Sequence, residues 1–332
     1  MSCYEYDQPE TLVVIGDLNG DYFALECILR GLNLINSSNQ WVGKNTHVIQ
    51  VGDVVNRGNH TRDALDLLMR LHQEARDSDC MVDMLLGNHE VMVTLADYAW
   101  CHAQEFLDFA TPQEIMEYEL ARTNHMHMLL QAHSTPSEVR PIVGSLRAWE
   151  DEHAPGRTAY KDAMGPDGTY GQFLRTRPVA LKIGPIILSH AGLIPSYCRQ
   201  GLDALHAVFE SEWSNKPRVI SDLHYQSPLF DESGPLWNRR FATDKSPASR
   251  QMLKETLELL AAKIMVVGHT RTDVLGGAPG LPLALHDGQL ICVDVGLGHQ
   301  LGSPAALIIQ GQKVYSWRPE TGRLYLSPIG DS

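Results

Sequence analysis

No run of apolar residues in this 332-residue chain approaches the ~20 that a membrane span requires. The amino terminus, MSCYEYDQPE, has neither the basic start nor the apolar stretch of a secretion signal. A cytoplasmic protein that does not use a membrane is the expectation. Positive charge is also scarce: 27 Lys and Arg stand against 40 Asp and Glu, a net charge of -13. That sign argues against nucleic acid or anionic lipid as a partner, so a small phosphorylated partner must be drawn by local charge. The six cysteines, at 3, 27, 80, 101, 198 and 292, form no CxxC pair and no regular spacing, which leaves buried free thiols as the reading. Internal repeats and low-complexity tracts are absent. GGAPG at 276 to 280 follows no strand-to-helix pattern and is not succeeded by GKS or GKT, so it reads as a loop and not as a phosphate cradle.

What the chain does have is apolar residues, 43% of the total, enough to bury a large core. They fall into alternating β and helical patterns: TLVVIG, a helix over about 22 to 32, THVIQVG, a helix over about 61 to 76 with Ala64, Leu65, Leu67, Leu68 and Leu71 on one side, then MVDMLLG. Strand-helix alternation of this kind predicts an α/β sheet with crossover helices, whose ligands gather beyond the carboxyl ends of the strands. From about 98 to 133 the pattern is helical, again from 136 to 153, and GPDGTYG returns the chain to the sheet. This predicts a helical cap over 96–174 inserted into a core made of 1–95 and 175–332. Sheet signals resume with PVALKIGPIILSH, pause over a loop and helix-rich region from about 195 to 262, and close with KIMVVGHT, QLICVDVG, AALIIQ and KVYSWRP.

Five of the β-like runs end on a residue that can bind a metal: VVIGDLNGD (13 to 21), VIQVGDVVNRG (48 to 58), LLGNHE (85 to 90), IILSHAG (186 to 192) and MVVGHT (265 to 270). Asp17 and Asp53 offer carboxylate oxygens, Asn88 an amide oxygen, and His190 and His269 imidazole nitrogens, a mixture suited to Mn²⁺, Fe or Zn²⁺ and not to calcium alone. Singly, a Gly-Asp is usually a turn and a histidine after a strand usually structural; five in this order are not explained by turn chemistry. HMHMLLQAH (125 to 133) is a weaker candidate, because His125 and His127 lie two residues apart on different sides of a helix, and a solvated cap face is the better reading. The tryptophans are scattered, and Trp237 alone is placed to border a pocket. Asp294, in ICVDVGLG, is a further strand-end carboxylate that could line the pocket or hydrogen-bond a ligand histidine.

In these motifs the chain resembles the calcineurin-like metallophosphoesterases of the phosphoprotein phosphatase family, closest to bacterial-type Shewanella-like phosphatases. The resemblance runs over about 11 to 320 and includes YGQFLRTRPVALKIG and GPLWNRRF. It implies a four-layer α/β/β/α sandwich, with two divalent cations, Mn²⁺ first and Fe or Zn²⁺ as alternatives. Asp53 would bridge them; Asp17 and Asn19 would complete the first site, and Asn88, His190 and His269 the second. A phosphomonoester, on a phosphopeptide or a small molecule, would be attacked by metal-activated hydroxide. His89 would act as general acid, Asn56 would orient it, Arg57 would grip the phosphoryl oxygens, and Arg239 would be the second such arginine, with Arg240, Arg175 and Arg177 as rivals.

Two residues depart from the family pattern. Asn19 stands where a histidine is usual, so the first site keeps only Asp17 and Asp53 as strong ligands and is expected to be weak or empty. Asn56 stands where an aspartate is usual; its amide can hydrogen-bond to His89 but lends no charge, and general acid catalysis is typically worth ~10² to 10⁴-fold. The first reading is therefore a slow phosphatase that favours acidic leaving groups. The second is a pseudo-phosphatase that binds a phosphorylated ligand or protein, and the third a structural protein on an idle fold. The acidic cap residues Glu105, Asp108, Glu114, Glu117 and Glu119 favour small or exposed substrates.

Overall fold

Short runs of β-branched and apolar residues form twelve strands in the computed structural model, which describes residues 2–132, 139–214, 227–298 and 302–329. They are β1 (Glu5–Tyr6), β2 (Thr11–Ile15), β3 (Thr46–Gln50), β4 (Met81–Met84), β5 (Ala180–Ile183), β6 (Ile186–Ser189), β7 (Ile264–Val267), β8 (Leu283–Leu285), β9 (Leu290–Cys292), β10 (Ala306–Gln310), β11 (Lys313–Arg318) and β12 (Gly322–Pro328). Two six-stranded sheets result, one ordered β12-β11-β10-β2-β3-β4 and the other β1-β5-β6-β7-β9-β8. On one side of the first, β2, β3 and the edge strand β4 run parallel; at the heart of the second, β6, β7 and β9 do.

Alternation along these strands splits their side chains between two cores. Leu12, Val14, Ile49 and Val51 of the first sheet meet Leu181, Ile183, Ile186, Leu188, Val266 and Ile291 of the second in a layer with no exposure above 2%. The intervening residues Val13, Ile15 and Val48 face outward under the helices Tyr22–Gly31 and Thr61–Arg76. On the far side Ile187, Met265, Val267 and Leu290 pack under the helices Leu202–Ser214 and Pro247–Leu259. Each such side chain contributes roughly 1.5–3 kcal/mol by leaving water. The stacking order is therefore helix, sheet, sheet, helix, the α/β sandwich that the motifs implied.

Between β4 and β5 the chain is helical: Asn88–Thr94, Ala103–Leu107, Pro112–Ala132, Val139–His153, Arg157–Met164 and Thr169–Arg175. The single helical stretch expected from 98 to 133 is interrupted at 108–111. Thr111 and Glu114 cap the new helix reciprocally: the Thr111 N–H donates to the Glu114 carboxylate at 2.8 Å and the Glu114 N–H to the Thr111 hydroxyl at 3.3 Å, with Pro112 in the first turn. His133 and Pro136, the ends assigned to the two expected helices, lie outside the described residues. PVALKIGPIILSH is two antiparallel strands, β5 and β6, turning at Gly184 and Pro185. Strands β1, β8 and β12 were not expected. Among the described residues, no helix is long and apolar enough to cross a membrane.

Candidate active site

The carboxyl ends of the parallel strands place their next residues around one cavity. Asp17 follows β2, Asp53 follows β3, Asn88 follows β4, His269 follows β7 and Asp294 follows β9. All five line a cavity of about 360 Å³, which also receives Arg57, His89, Trp100, Trp237, Arg239, Arg271 and Val274. His190, after β6, is fully buried beneath it. Several residues in or next to these strand-end loops hold left-handed backbone: φ is 47° at Asn19, 58° at Asp53, 69° at Asn56 and Arg57, and 62° at His269. Asn and Asp tolerate that region, whereas Arg57 and His269 are there at a cost of order 1–3 kcal/mol that the surrounding structure must offset.

Four lone-pair donors converge at the cavity floor. His190 Nε2 lies 2.9 Å from Asn88 Oδ1, 3.2 Å from His269 Nδ1 and 3.4 Å from Asp53 Oδ1. The other nitrogen of each imidazole is committed, His190 Nδ1–H donating to the Val51 carbonyl at 2.9 Å and His269 Nε2–H to the Trp237 carbonyl at 3.2 Å. Both facing nitrogens are therefore unprotonated. Burial lowers the proton affinity of His190; burial, His190 and Arg239 hold that of His269 well below the ordinary histidine value. Unshared electron pairs this close repel unless a cation lies among them, so the donor set fits a divalent metal. Asp53, His190 and His269 alone form a tight group of ligand atoms among the described residues; Asp17 is not in it.

Asp17 accepts the His269 backbone N–H at 3.0 Å, while burial and then the neighbouring Asp294 and Asp53 push its carboxyl well above the usual range. Burial also pushes Asp294 up to about 6. Asn19 is 1% exposed and its Nδ2 has no hydrogen-bond partner. Glu90 holds the loop after β3 from behind: its carboxylate accepts the N–H groups of Asp53, Val54 and Gly87 at 2.8 Å and of Val55 at 3.2 Å, and burial and Asp53 raise it to about 7.

His89 reaches the cavity with Asn56 behind it. The Asn56 amide Nδ2–H donates to His89 Nδ1 at 2.8 Å, while the Cys101 thiol donates to Asn56 Oδ1 at 3.0 Å. The thiol thereby fixes the amide's orientation, since Oδ1 is taken and only N–H can face the ring. His89 Nδ1 is then an acceptor and its proton sits on Nε2, 3.8 Å from Asp53 Oδ2. Cys101 is a partner that the sequence gave no reason to expect, because it lies in the helical insertion and its contact is purely tertiary.

Below Asn56 lies Glu105, whose Oε1 accepts the Asn56 N–H and the Thr61 hydroxyl at 2.8 Å and the Tyr160 hydroxyl at 3.2 Å, while its buried Oε2 meets no donor. Burial raises Glu105 to about 7. Because the folded state binds this proton more tightly than the unfolded state, the contribution to stability is full below about pH 4.5 and lost as pH rises through about 7. The cost by pH 8 is on the order of 3 kcal/mol. With metal removed by EDTA, the melting temperature should fall from pH 5 to pH 8, and Glu105→Gln, which carries no titrating group, should flatten that slope. An unchanged slope in the variant would show that Glu105 is not the source.

Among the arginines, Arg57 stacks 4.9 Å over the Trp100 ring at the cavity wall, an arrangement worth about 0.5–2 kcal/mol. Arg239 lines the cavity and donates through Nη1 to the His269 carbonyl at 2.6 Å. Its rivals are engaged elsewhere: Arg240 with Asp244, Arg177 with Asp83, and Arg175 with the Thr94 carbonyl and the Trp213 ring. Arg271, which sequence reasoning overlooked, also lines the cavity, held in a fork by Asp273 at 2.8 and 3.0 Å. Trp237 does border the cavity but is not alone, since Trp100 does so as well. His125 stacks on Trp149 at 5.1 Å, and His127 is exposed. A second cavity of about 890 Å³ shares Arg57 and Trp100 with the first and extends to Tyr118, Arg122, Arg147 and Asp151 of the helical insertion.

Known proteins share this fold. The calcineurin-like phosphoesterase profile matches residues 10–270. The chain is 27% identical over 313 residues to Shewanella-like protein phosphatase 2 of Arabidopsis thaliana, covering 92% of this chain and 76% of that protein. It is 24% identical over 263 residues to Shewanella-like protein phosphatase 1 of Plasmodium berghei (strain Anka), covering 78% and 61%. The fold is similar to that of a solved cold-active protein tyrosine phosphatase, with a TM-score of 0.72 and 22% identity over 99% of this chain and 82% of that one. A cold-active protein-tyrosine phosphatase of a psychrophilic Shewanella species gives 0.70 and 22%, over 98% and 83%.

Proposed function

Since this chain belongs to the calcineurin-like phosphoesterase family, we propose that it is a metal-dependent phosphatase acting on phosphomonoesters of acidic leaving groups. Phosphotyrosine in an exposed peptide, or a small aryl or polyphosphate ester, is the favoured substrate class. The observation that carries this reading is the meeting of four lone-pair donors, Asp53, Asn88, His190 and His269, at one cavity that Arg57, Arg239 and Arg271 also line. Asp17, Asn19 and Asp53 would hold one divalent cation, and Asp53, Asn88, His190 and His269 the other, with Mn²⁺ the first choice on these donors. Such a pair supplies activation of a water and neutralisation of phosphoryl charge.

The rest falls to the protein. Arg57, braced by Trp100, and Arg239, braced by the His269 carbonyl, would grip the phosphoryl oxygens. His89 would present its Nε2 proton to the leaving oxygen. With Asn56 donating to Nδ1, that proton belongs to a neutral ring, a weak acid, so leaving groups that need little protonation are favoured. We assign residues 96–174 as a cap whose cavity beside Arg57 receives the remainder of the substrate.

A second reading, a pseudo-phosphatase that binds a phosphorylated ligand without turning it over, is favoured by the same Asn56–His89 contact. Turnover of p-nitrophenyl phosphate in Mn²⁺, abolished by EDTA and restored by Mn²⁺, is the expected result. No turnover together with saturable binding of inorganic phosphate would replace the first reading by the second.

A further inference from the structure

We propose that the start of the helical insertion, residues 100–105, is a clamp that holds Asn56 and Arg57 in their working positions, with Glu105 as its chief positioning residue. The inference deepens the proposed function and rests on it for the roles of Asn56 and Arg57, while the clamp itself is read from contacts.

The loop after β3 needs holding. Asn56 and Arg57 are consecutive and both sit at φ 69°, a left-handed backbone that asparagine tolerates and that strains an arginine by about 1–3 kcal/mol. Released, Arg57 would relax toward negative φ and carry its guanidinium away from the cavity wall. Each backbone N–H from 53 to 57 has a partner, and the partners divide the loop in two. Glu90, beside His89, accepts those of Asp53, Val54 and Val55. The insertion takes the other two: Glu105 Oε1 accepts the Asn56 N–H at 2.8 Å, and the Trp100 carbonyl accepts the Arg57 N–H at 3.3 Å. The residues held from the insertion are thus the two whose side chains are assigned to proton delivery and to the phosphoryl grip.

The same segment also holds their side chains. The Cys101 thiol donates to Asn56 Oδ1 at 3.0 Å, and the Trp100 ring lies 4.9 Å from the Arg57 guanidinium carbon. Residues 100–105 therefore touch the backbone and the side chain of each target. Glu105 adds a staple across the turn that follows, since its Oε1 also accepts the Thr61 hydroxyl at 2.8 Å and so ties Asn56 to the first residue of the helix Thr61–Arg76.

Docking of the insertion does not by itself call for a carboxyl group at this place. Glu105 is fully buried and its Oε2 meets no donor, a desolvation cost of about 1–3 kcal/mol that an apolar side chain of the same length would avoid. Phe106 and Tyr160 already pack the insertion into the core beneath the first sheet's helices. What no apolar side chain can do is accept the Asn56 N–H, and an unpaired N–H in a buried turn would release the left-handed conformation that aims Arg57.

Calorimetric binding of inorganic phosphate in Mn²⁺ reads the grip of Arg57 without turnover. Glu105→Met keeps the length of the side chain and removes the acceptor; it should weaken phosphate at least ~10-fold and lower kcat/KM for p-nitrophenyl phosphate by up to ~10²-fold, with metal per chain unchanged. In an Arg57→Ala background the same substitution should change phosphate affinity by less than ~2-fold, because the two residues act through one another. Glu105→Gln, whose amide oxygen can accept the same N–H, should stay within ~3-fold of wild type, and Tyr160→Phe, which deletes a docking bond but no acceptor, should lower the melting temperature and leave phosphate binding within ~2-fold. Glu105→Met binding phosphate as wild type does overturns the clamp. So do equal losses in the wild-type and Arg57→Ala backgrounds, or a loss in Tyr160→Phe as large as that in Glu105→Met. Should Glu105→Met not fold, Glu105→Asp carries the test, since it withdraws the acceptor by one methylene, and unchanged affinity there is equally fatal. None of these results touches the phosphatase reading. Conversely, a wild type that never hydrolyses p-nitrophenyl phosphate but shows the expected binding pattern across the variants overturns the phosphatase reading and supports the clamp.

Discussion

Asn56→Asp should raise kcat toward a simple alkyl phosphate by about 10² to 10⁴-fold, while changing turnover of p-nitrophenyl phosphate by less than about 10-fold. The difference follows from what the amide does now. Its Nδ2–H donates to His89 Nδ1 and its Oδ1 receives the Cys101 thiol, so the ring is held with an unprotonated Nδ1 and cannot offer a proton from an imidazolium. A carboxylate in the same place accepts from both neighbours at once: one oxygen keeps the thiol, and the other takes an Nδ1–H. His89 then becomes a cationic acid. An alkoxide leaving group needs that proton, whereas p-nitrophenolate leaves without it. Rates for a series of phosphate esters plotted against leaving-group pKa should flatten in the variant. Equal gains for both esters would mean that Asn56 acts on something other than proton delivery, and no gain for either would remove His89 from the acid role.

Asp17→Asn should lower turnover by at least ~10²-fold and, in metal-free protein at pH 8, raise the melting temperature by a few degrees. The two effects share a cause. Asp17 is buried, with Asp294 and Asp53 close by, and its carboxyl is pushed well above the usual range. Without metal, an acid of that kind contributes stability only while protonated: the contribution is full below the unfolded carboxylate range and is lost as pH rises through the folded value. The amide keeps an oxygen for the His269 N–H and removes the repulsion. The stabilisation should therefore shrink toward zero at acidic pH, and added Mn²⁺ should raise the melting temperature of wild type more than that of the variant. A variant that is less stable than wild type at pH 8 would show that the carboxylate is compensated by the protein itself.

How much of this was visible in the sequence depends on range. The strand ends were legible because an apolar run that stops at Gly-Asp, Gly-Asn-His or Ser-His marks both the end of a ladder and a polar side chain just beyond it, and Asp17, Asp53, Asn88, His190 and His269 all follow that rule. The outer helices were legible from the spacing of residues such as Ala64, Leu68 and Leu71. The break before Pro112 could have been found, since Thr-Pro-Gln-Glu is a helix-start signature. Two-residue β1 and three-residue β8 are too short to leave a period, and β12 is an outer strand with one ladder to form. Nothing local marks Cys101 as a partner of Asn56, Trp100 as a brace for Arg57, or Arg271 as a wall of the cavity; those pairings span up to 45 residues and exist only once the insertion has docked.

Every donor around the cavity sits past the last paired residue of its strand. Exchanging one donor for another therefore leaves the hydrogen-bonded ladders and the layer between the sheets intact. Substitutions at Asn19 or Asn56 therefore change what the site offers a ligand while the scaffold stays selected for folding alone. Reactivity and foldability are thus separately adjustable here.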